Sequence, residues 1–146
     1  MDDSGRIFVV DELYLKDSNT FAAAKEIIRK YPHQYKEIIA DETGNRRKTS
    51  SSKTDHQILR DIVGQNTVLP FKNPAVKDRY NNLNRLLEHG RLFISPKCKM
   101  LIRDLESLVY DNRDDLLSHI SDALGYVCWH LAPMKKPRRT GSVRSR

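Results

Sequence analysis

The chain has 146 residues, which suits one domain, and a hydrophobic content of 38% supports one core but not two. Lysine and arginine total 26 against 19 acidic residues, for a formal net charge of +7 and a sequence pI near 9.5, a balance that favours a polyanion partner, nucleic acid first. Two cysteines, Cys98 and Cys128, exclude a disulfide framework and lack metal-site spacing, and no apolar run reaches the length a bilayer requires.

In chain order, the acidic, polar start "MDDSGR" predicts no signal peptide, and "DDSG" is a turn signal. The β-branched and aromatic run "RIFVVDELYL" then reads as a strand. A turn that leads into a strand normally joins two strands, so this opening is the first hint of a fragment. "DSNTFAAAKEIIRKYP" predicts a helix capped by Asp17, Ser18 or Asn19, with Phe21, Ala24, Ile27 and Ile28 as its apolar stripe. "KEIIAD" is a short strand ending at Asp41, and "ETGNRRKTSSSK" is a polar, basic loop. "TDHQILRDIVG" is a helix capped by Thr54 or Asp55 and stopped by Gly64. After "NTVLPFKNP", a short strand or extended link, "AVKDRYNNLNRLLEHG" predicts a helix with Val76, Tyr80, Leu83, Leu86 and Leu87 inward. "RLFISP" is a strand, "KCKMLIRDLESLVY" a helix, "DNRDD" a linker, and a last helix runs to about Leu131. The tail from residue 133 to 146 carries Lys135, Lys136, Arg138, Arg139, Arg144 and Arg146 with little to bury, and is expected to be disordered. Alternation of strands and helices predicts an α/β domain over residues 1–132 with a largely parallel sheet and functional residues at its carboxyl ends, where Asp41 lies.

The last helix holds the first candidate site. At roughly 100° per residue, Leu116, Ile120, Ala123, Leu124, Val127 and Leu131 share one face, while His119, Asp122, Tyr126 and His130 share another. His119 and Asp122 are three apart and therefore neighbours. A solvated polar face is the better account of them until Asp41 is added. Carboxylates from different elements that converge on one point are what two-metal phosphodiester hydrolysis needs, with hard oxygen ligands suited to Mg²⁺ or Mn²⁺. A histidine beside one of them can ligate an ion or carry a proton. The loop after Asp41 places Asn45, Arg46, Arg47, Lys48 and Lys53 beside that point, where they can hold phosphates. Cys98 and Cys128 read as packing residues, and neither a P-loop nor a GxSxG elbow is present.

The segments "FVVDELY", "ADETGNRRKTSSSKTDHQIL", "VKDRYNNLNRLLEHGRLFISPKCKMLIRDLE" and "HISDALGY", in this order, resemble the C-terminal nuclease domain of the tailed-bacteriophage terminase large subunit. The resemblance runs from about Ile7 to Trp129. It implies a ribonuclease H-like mixed sheet flanked by helices, and cleavage of double-stranded DNA concatemers during genome packaging with a two-ion Mg²⁺ or Mn²⁺ site. It also implies the terminase ATPase domain, the small terminase subunit and the portal as partners, no membrane, and the cytoplasm of the bacterial host as location. Of the family's three acids, the second matches Asp41 and the third Asp122. His119 matches a histidine near the third acid in some members. The family's first strand, which bears the first acid, and its second strand have no counterpart, so the resemblance implies an N-terminally truncated domain. Asp11 and Glu12, on what matches the family's third strand, do not replace it, and Glu42, where a small residue is expected, is a weaker candidate. Weak or absent cleavage is therefore expected of this chain alone, with self-association along an exposed strand.

Three functions compete at this point: a metal-dependent endonuclease domain, an inactive module that binds DNA or a packaging partner, and a small DNA-binding protein of other ancestry. The segment order argues against the third. A helix-turn-helix is disfavoured because Gly64 and Pro70 separate the middle helices too widely.

Overall fold

The computed structural model describes residues 1–33, 36–46, 52–65, 67–107 and 118–134. Arg47, Lys48, the predicted linker and the basic tail from residue 135 lie outside the described residues, as does the side chain of His119.

Among the described residues the fold is mixed α/β, with five helices and a small parallel sheet. The "DDSG" turn forms as the sequence predicts: Gly5 takes a left-handed φ of 75°, and Asp2 Oδ1 accepts from the backbone N–H groups of Ser4 and Arg6 at 3.1 and 2.8 Å. It delivers the chain into β1 (Ile7–Val9). Helix α1 (Thr20–Lys30) starts at Asn19, whose side chain accepts from Ala22 N–H, and only Ala24 of its predicted stripe is fully buried. Helix α2 (Asp55–Val63) opens on a capping box between Thr54 and Gln57, and Gly64 ends it at a φ of 138°. Helix α3 (Val76–Glu88) buries Tyr80, Leu83 and Leu86 as expected, and also Arg79 and Asn82, which the apolar pattern does not select; Leu87 remains exposed. Strand β2 (Leu92–Ile94), helix α4 (Lys99–Ser107) and helix α5 (Ser118–Leu131) complete the order.

Strand β1 pairs with β2 in parallel, Ile7 opposite Leu92 and Val9 opposite Ile94. The other two predicted strands shrink to one parallel bridge, Ile38 opposite Val68, where Ile38 N–H donates to Thr67 O at 2.7 Å. The expected four-stranded sheet is therefore seen only as one short pair and one bridge among the described residues. The physical reason is local: Ile38 and Ile39 are followed by Asp41 and Glu42, whose side chains engage turn and loop partners instead of a ladder. Each pairing is parallel, so the two segments that follow it leave at the same end of that pair.

The core joins Ile7 and Leu92 of the sheet to Leu83 and Leu86 of α3, Leu101 of α4 and Leu124 of α5. Cys98 and Cys128 are fully buried, and burial pushes both thiols up, Cys128 to about 12, as packing residues require. Helix α5 is rotated from the predicted face. Ser121, Leu124, Tyr126 and Cys128 are buried, whereas Ala123 is exposed. Of the predicted stripe, Leu124 lies in the core and Ile120 and Leu131 pack against it, and together with Ala123 and Val127 they line an open apolar groove of about 410 Å³ beside β1. The rotation follows from a small-residue face, Ser121, Gly125 and Cys128, that lets α3 approach closely.

Glu12 ties the sheet to α4. Its carboxylate accepts from the backbone N–H groups of Met100 and Leu101, both at 2.9 Å, and so satisfies two of the donors left open at a helix N-terminus. Glu12→Ala is expected to lower stability by about 1–2 kcal/mol in a urea titration, the usual range for loss of a helix cap. A change within error would mean the contact carries no stability.

Candidate functional site

Asp41 is positioned by local chemistry first. It caps a short 3-10 turn, Glu42–Asn45, and its Oδ1 accepts from Thr43 N–H at 2.7 Å and Thr43 Oγ1 at 2.6 Å. Two further elements then hold it. His56 of α2 is buried, and its Nε2 lies 2.8 Å from the Asp41 carbonyl oxygen. A carbonyl only accepts, so Nε2 carries the proton. Asn73, which follows the Val68 bridge, donates from Nδ2 to Asp41 Oδ1 at 3.1 Å, and its backbone N–H donates to Glu42 Oε2 at 3.2 Å. Glu42 is thus a clasp on Asn73. Burial raises the Asp41 carboxyl, but the donors Thr43, Asn73 and Tyr126 outweigh it and hold the group down at about 2.

Asp122 reaches the same region from α5. Its Oδ1 accepts from the Arg79 guanidinium and from Tyr80 OH, the latter at 3.0 Å, both on α3. Tyr126, one turn on from Asp122, donates its OH to Asp41 Oδ2 at 2.9 Å. The Arg79 guanidinium carbon lies 4.5 Å from the centre of the Tyr126 ring. Asp41 and Asp122 are therefore brought to one site, linked through Tyr126 and Arg79. Burial raises the Tyr126 hydroxyl, and its bond to Asp41 raises it further, so it stays a donor.

Arg79 is the residue this arrangement turns on. It is 3% exposed, against 23% for the Asp122 side chain. Its path across α5 exists because residue 125 is glycine: a Cβ there would lie 2.5 Å from Arg79 Cγ and 2.6 Å from Cδ. Removing one partner of such a buried pair leaves a charge without compensation, typically worth about 3–5 kcal/mol.

The basic loop stands beside Asp41 in part. Asn45 and Arg46 are exposed at the end of the 3-10 turn, and Arg46 N–H donates to Thr43 O at 3.0 Å. Lys53 is exposed but pairs with Asp61 of α2 at 2.6 Å. Asp11 and Glu12 are elsewhere: Asp11 accepts from Tyr31 OH and pairs with Lys30, each at 2.8 Å, and Glu12 caps α4.

These donors bear on the two-ion site that the resemblance implies. Among the described residues, no three His, Cys, Asp or Glu side chains gather where a metal ion would take them. Three donors already occupy Asp41 Oδ1, and Asp122 Oδ1 faces a fixed positive charge. The described donors do not fit a two-ion site; Asp41 Oδ2 in turn accepts from Tyr126 OH.

Sequence reasoning missed Arg79, His56 and Asn73 and placed Tyr126 on an outer face. One signal was present: Gly125 in the middle of a helix costs about 1 kcal/mol relative to alanine and marks a close approach. Gly125→Ala is expected to displace Arg79. Overpacking costs of about 1–3 kcal/mol exceed the helical gain of about 1 kcal/mol, so a net loss of up to about 2 kcal/mol should appear in urea unfolding. In an Arg79→Ala background the same change should become neutral or stabilising; persistence of the loss would remove the contact with Arg79 as its cause.

The Asp41 bonds also predict a pH effect. Its folded pKa lies below its unfolded value, so its contribution is full above about pH 4 and is lost as pH falls toward about 2. Asp41→Asn should therefore show a shallower fall in urea midpoint across that window than the parent chain, and an equal fall would contradict the hydrogen-bond account.

Among the described residues no helix is long and apolar enough to cross a membrane. No family model matches the chain, and neither a curated protein nor a solved structure does.

Proposed function

We propose that this chain is a terminase-type DNA endonuclease domain of ribonuclease H-like ancestry, which handles double-stranded DNA during genome packaging and cleaves weakly or not at all by itself. The observation that carries the reading is the convergence of Asp41 and Asp122, from elements far apart in sequence, beside the exposed Arg46. A strand-end aspartate and a last-helix aspartate are what the resemblance calls for, with Mg²⁺ or Mn²⁺ as the ion. Phosphate contact falls to the loop with Asn45, Arg46, Arg47, Lys48 and Lys53. The ATPase domain, small subunit and portal of the packaging machine are the proposed protein partners.

A second reading, an inactive module that binds DNA or a packaging partner, is favoured by one feature: the Arg79 guanidinium already compensates Asp122. Cleavage of a linear duplex with Mn²⁺ separates the two. Slow cleavage that disappears in Asp41→Ala and Asp122→Ala supports the enzyme. Duplex binding without cleavage, unaltered by either change, supports the module. In both cases Arg46→Ala is expected to weaken duplex binding about equally across sequences and to reduce the slope of log affinity against log salt by about one. An unchanged slope would remove the loop from the DNA interface.

A further inference from the structure

The described donors disagree with a two-ion site at Asp122, and the disagreement has a structural cause. Asp122 Oδ1 is shared by the Arg79 guanidinium and Tyr80 OH. The guanidinium thus sets a positive charge against this carboxylate. The side chain has no room to withdraw. Its stem lies where a Cβ of residue 125 would be, the Tyr126 ring covers the guanidinium at 4.5 Å, and 3% of the side chain is exposed. Arg79 Nε is buried without a hydrogen-bond partner. The cation is thus held at Asp122 by packing rather than by a full set of hydrogen bonds, and the pocket is shaped around charge.

We infer that Arg79 is the resident cation of this acidic face and opposes divalent-ion binding at Asp122. An incoming Mg²⁺ or Mn²⁺ must share the carboxylate with a fixed positive charge at contact distance, which weakens its binding. The inference rests on the reading that Asp41 and Asp122 form a cation-binding pair.

The test is Mn²⁺ titration of the full chain, followed by calorimetry and by the electron paramagnetic resonance of free Mn²⁺. Arg79→Met keeps an unbranched apolar stem against Gly125 and Tyr126 and removes the charge. It is expected to tighten Mn²⁺ binding at least tenfold, and the gain should vanish in Arg79→Met/Asp122→Asn. If circular dichroism shows that Arg79→Met fails to fold, Arg79→Gln takes its place. A glutamine keeps an amide donor in the pocket without the charge, and at least threefold tightening is expected. Binding that is no tighter in the folded variant, or that tightens equally without Asp122, overturns the inference. If the parent chain binds Mn²⁺ through Asp41 and Asp122 and the Arg79 variants leave this unchanged, the inference fails while the paired-carboxylate reading stands. If no chain binds Mn²⁺, both fail.

Discussion

The ion pair between Arg79 of α3 and Asp122 of α5, laid across Gly125, is the constraint on which the site depends. It fixes the rotation of the last helix. With Arg79 lodged over residue 125, α5 presents Ser121, Gly125 and Cys128 to α3 and turns Tyr126 toward Asp41. It also links packing to charge: the pair is mostly buried, so neither partner can be lost without leaving a charge in a poorly hydrated place. Docking of two helices and the electrostatics of the site are one feature here.

Parallel pairing supplies the second constraint. The Ile38–Val68 bridge runs in one direction, so the segments beyond it, Asp41 with its 3-10 turn and Phe71 with Asn73, leave at the same end. Asn73 bonds to Asp41 there, and Phe71 meets the Tyr126 ring edge-on at 5.6 Å. A short ladder is enough to bring them together, since side-chain bonds and a ring contact replace the missing sheet partners. Glu12 performs a similar task on the other side, where the chain leaving β1 caps α4.

Charge is divided between two kinds of environment. The acids of the site are held by neutral donors and one guanidinium, while Arg46 is exposed at its rim. An excess of seven positive charges draws polyanions, and an acidic cluster at the same end sets a local limit on how closely a phosphate approaches. Arg79 moderates that limit by offsetting one carboxylate, which makes the site less hostile to phosphate and less inviting to a metal ion.

Local signals were legible in the residues themselves. The "DDSG" turn, the Thr54 cap, the Gly64 stop, the inward Tyr80, Leu83 and Leu86, and the packing role of both cysteines follow from backbone preference and apolar spacing, which act over a few residues. Asp41 and Asp122 were also singled out as a pair worth testing, from a strand end, a helix face and the resemblance together. The extent of the sheet, the rotation of α5 and the roles of Arg79, His56 and Asn73 were decided in three dimensions. An arginine in a helix of mixed polarity reads as solvated, because periodicity records hydrophobicity and not who stands opposite. Only the approach of α3 to Gly125, more than forty residues away, turns Arg79 inward and makes it the counter-ion of the site.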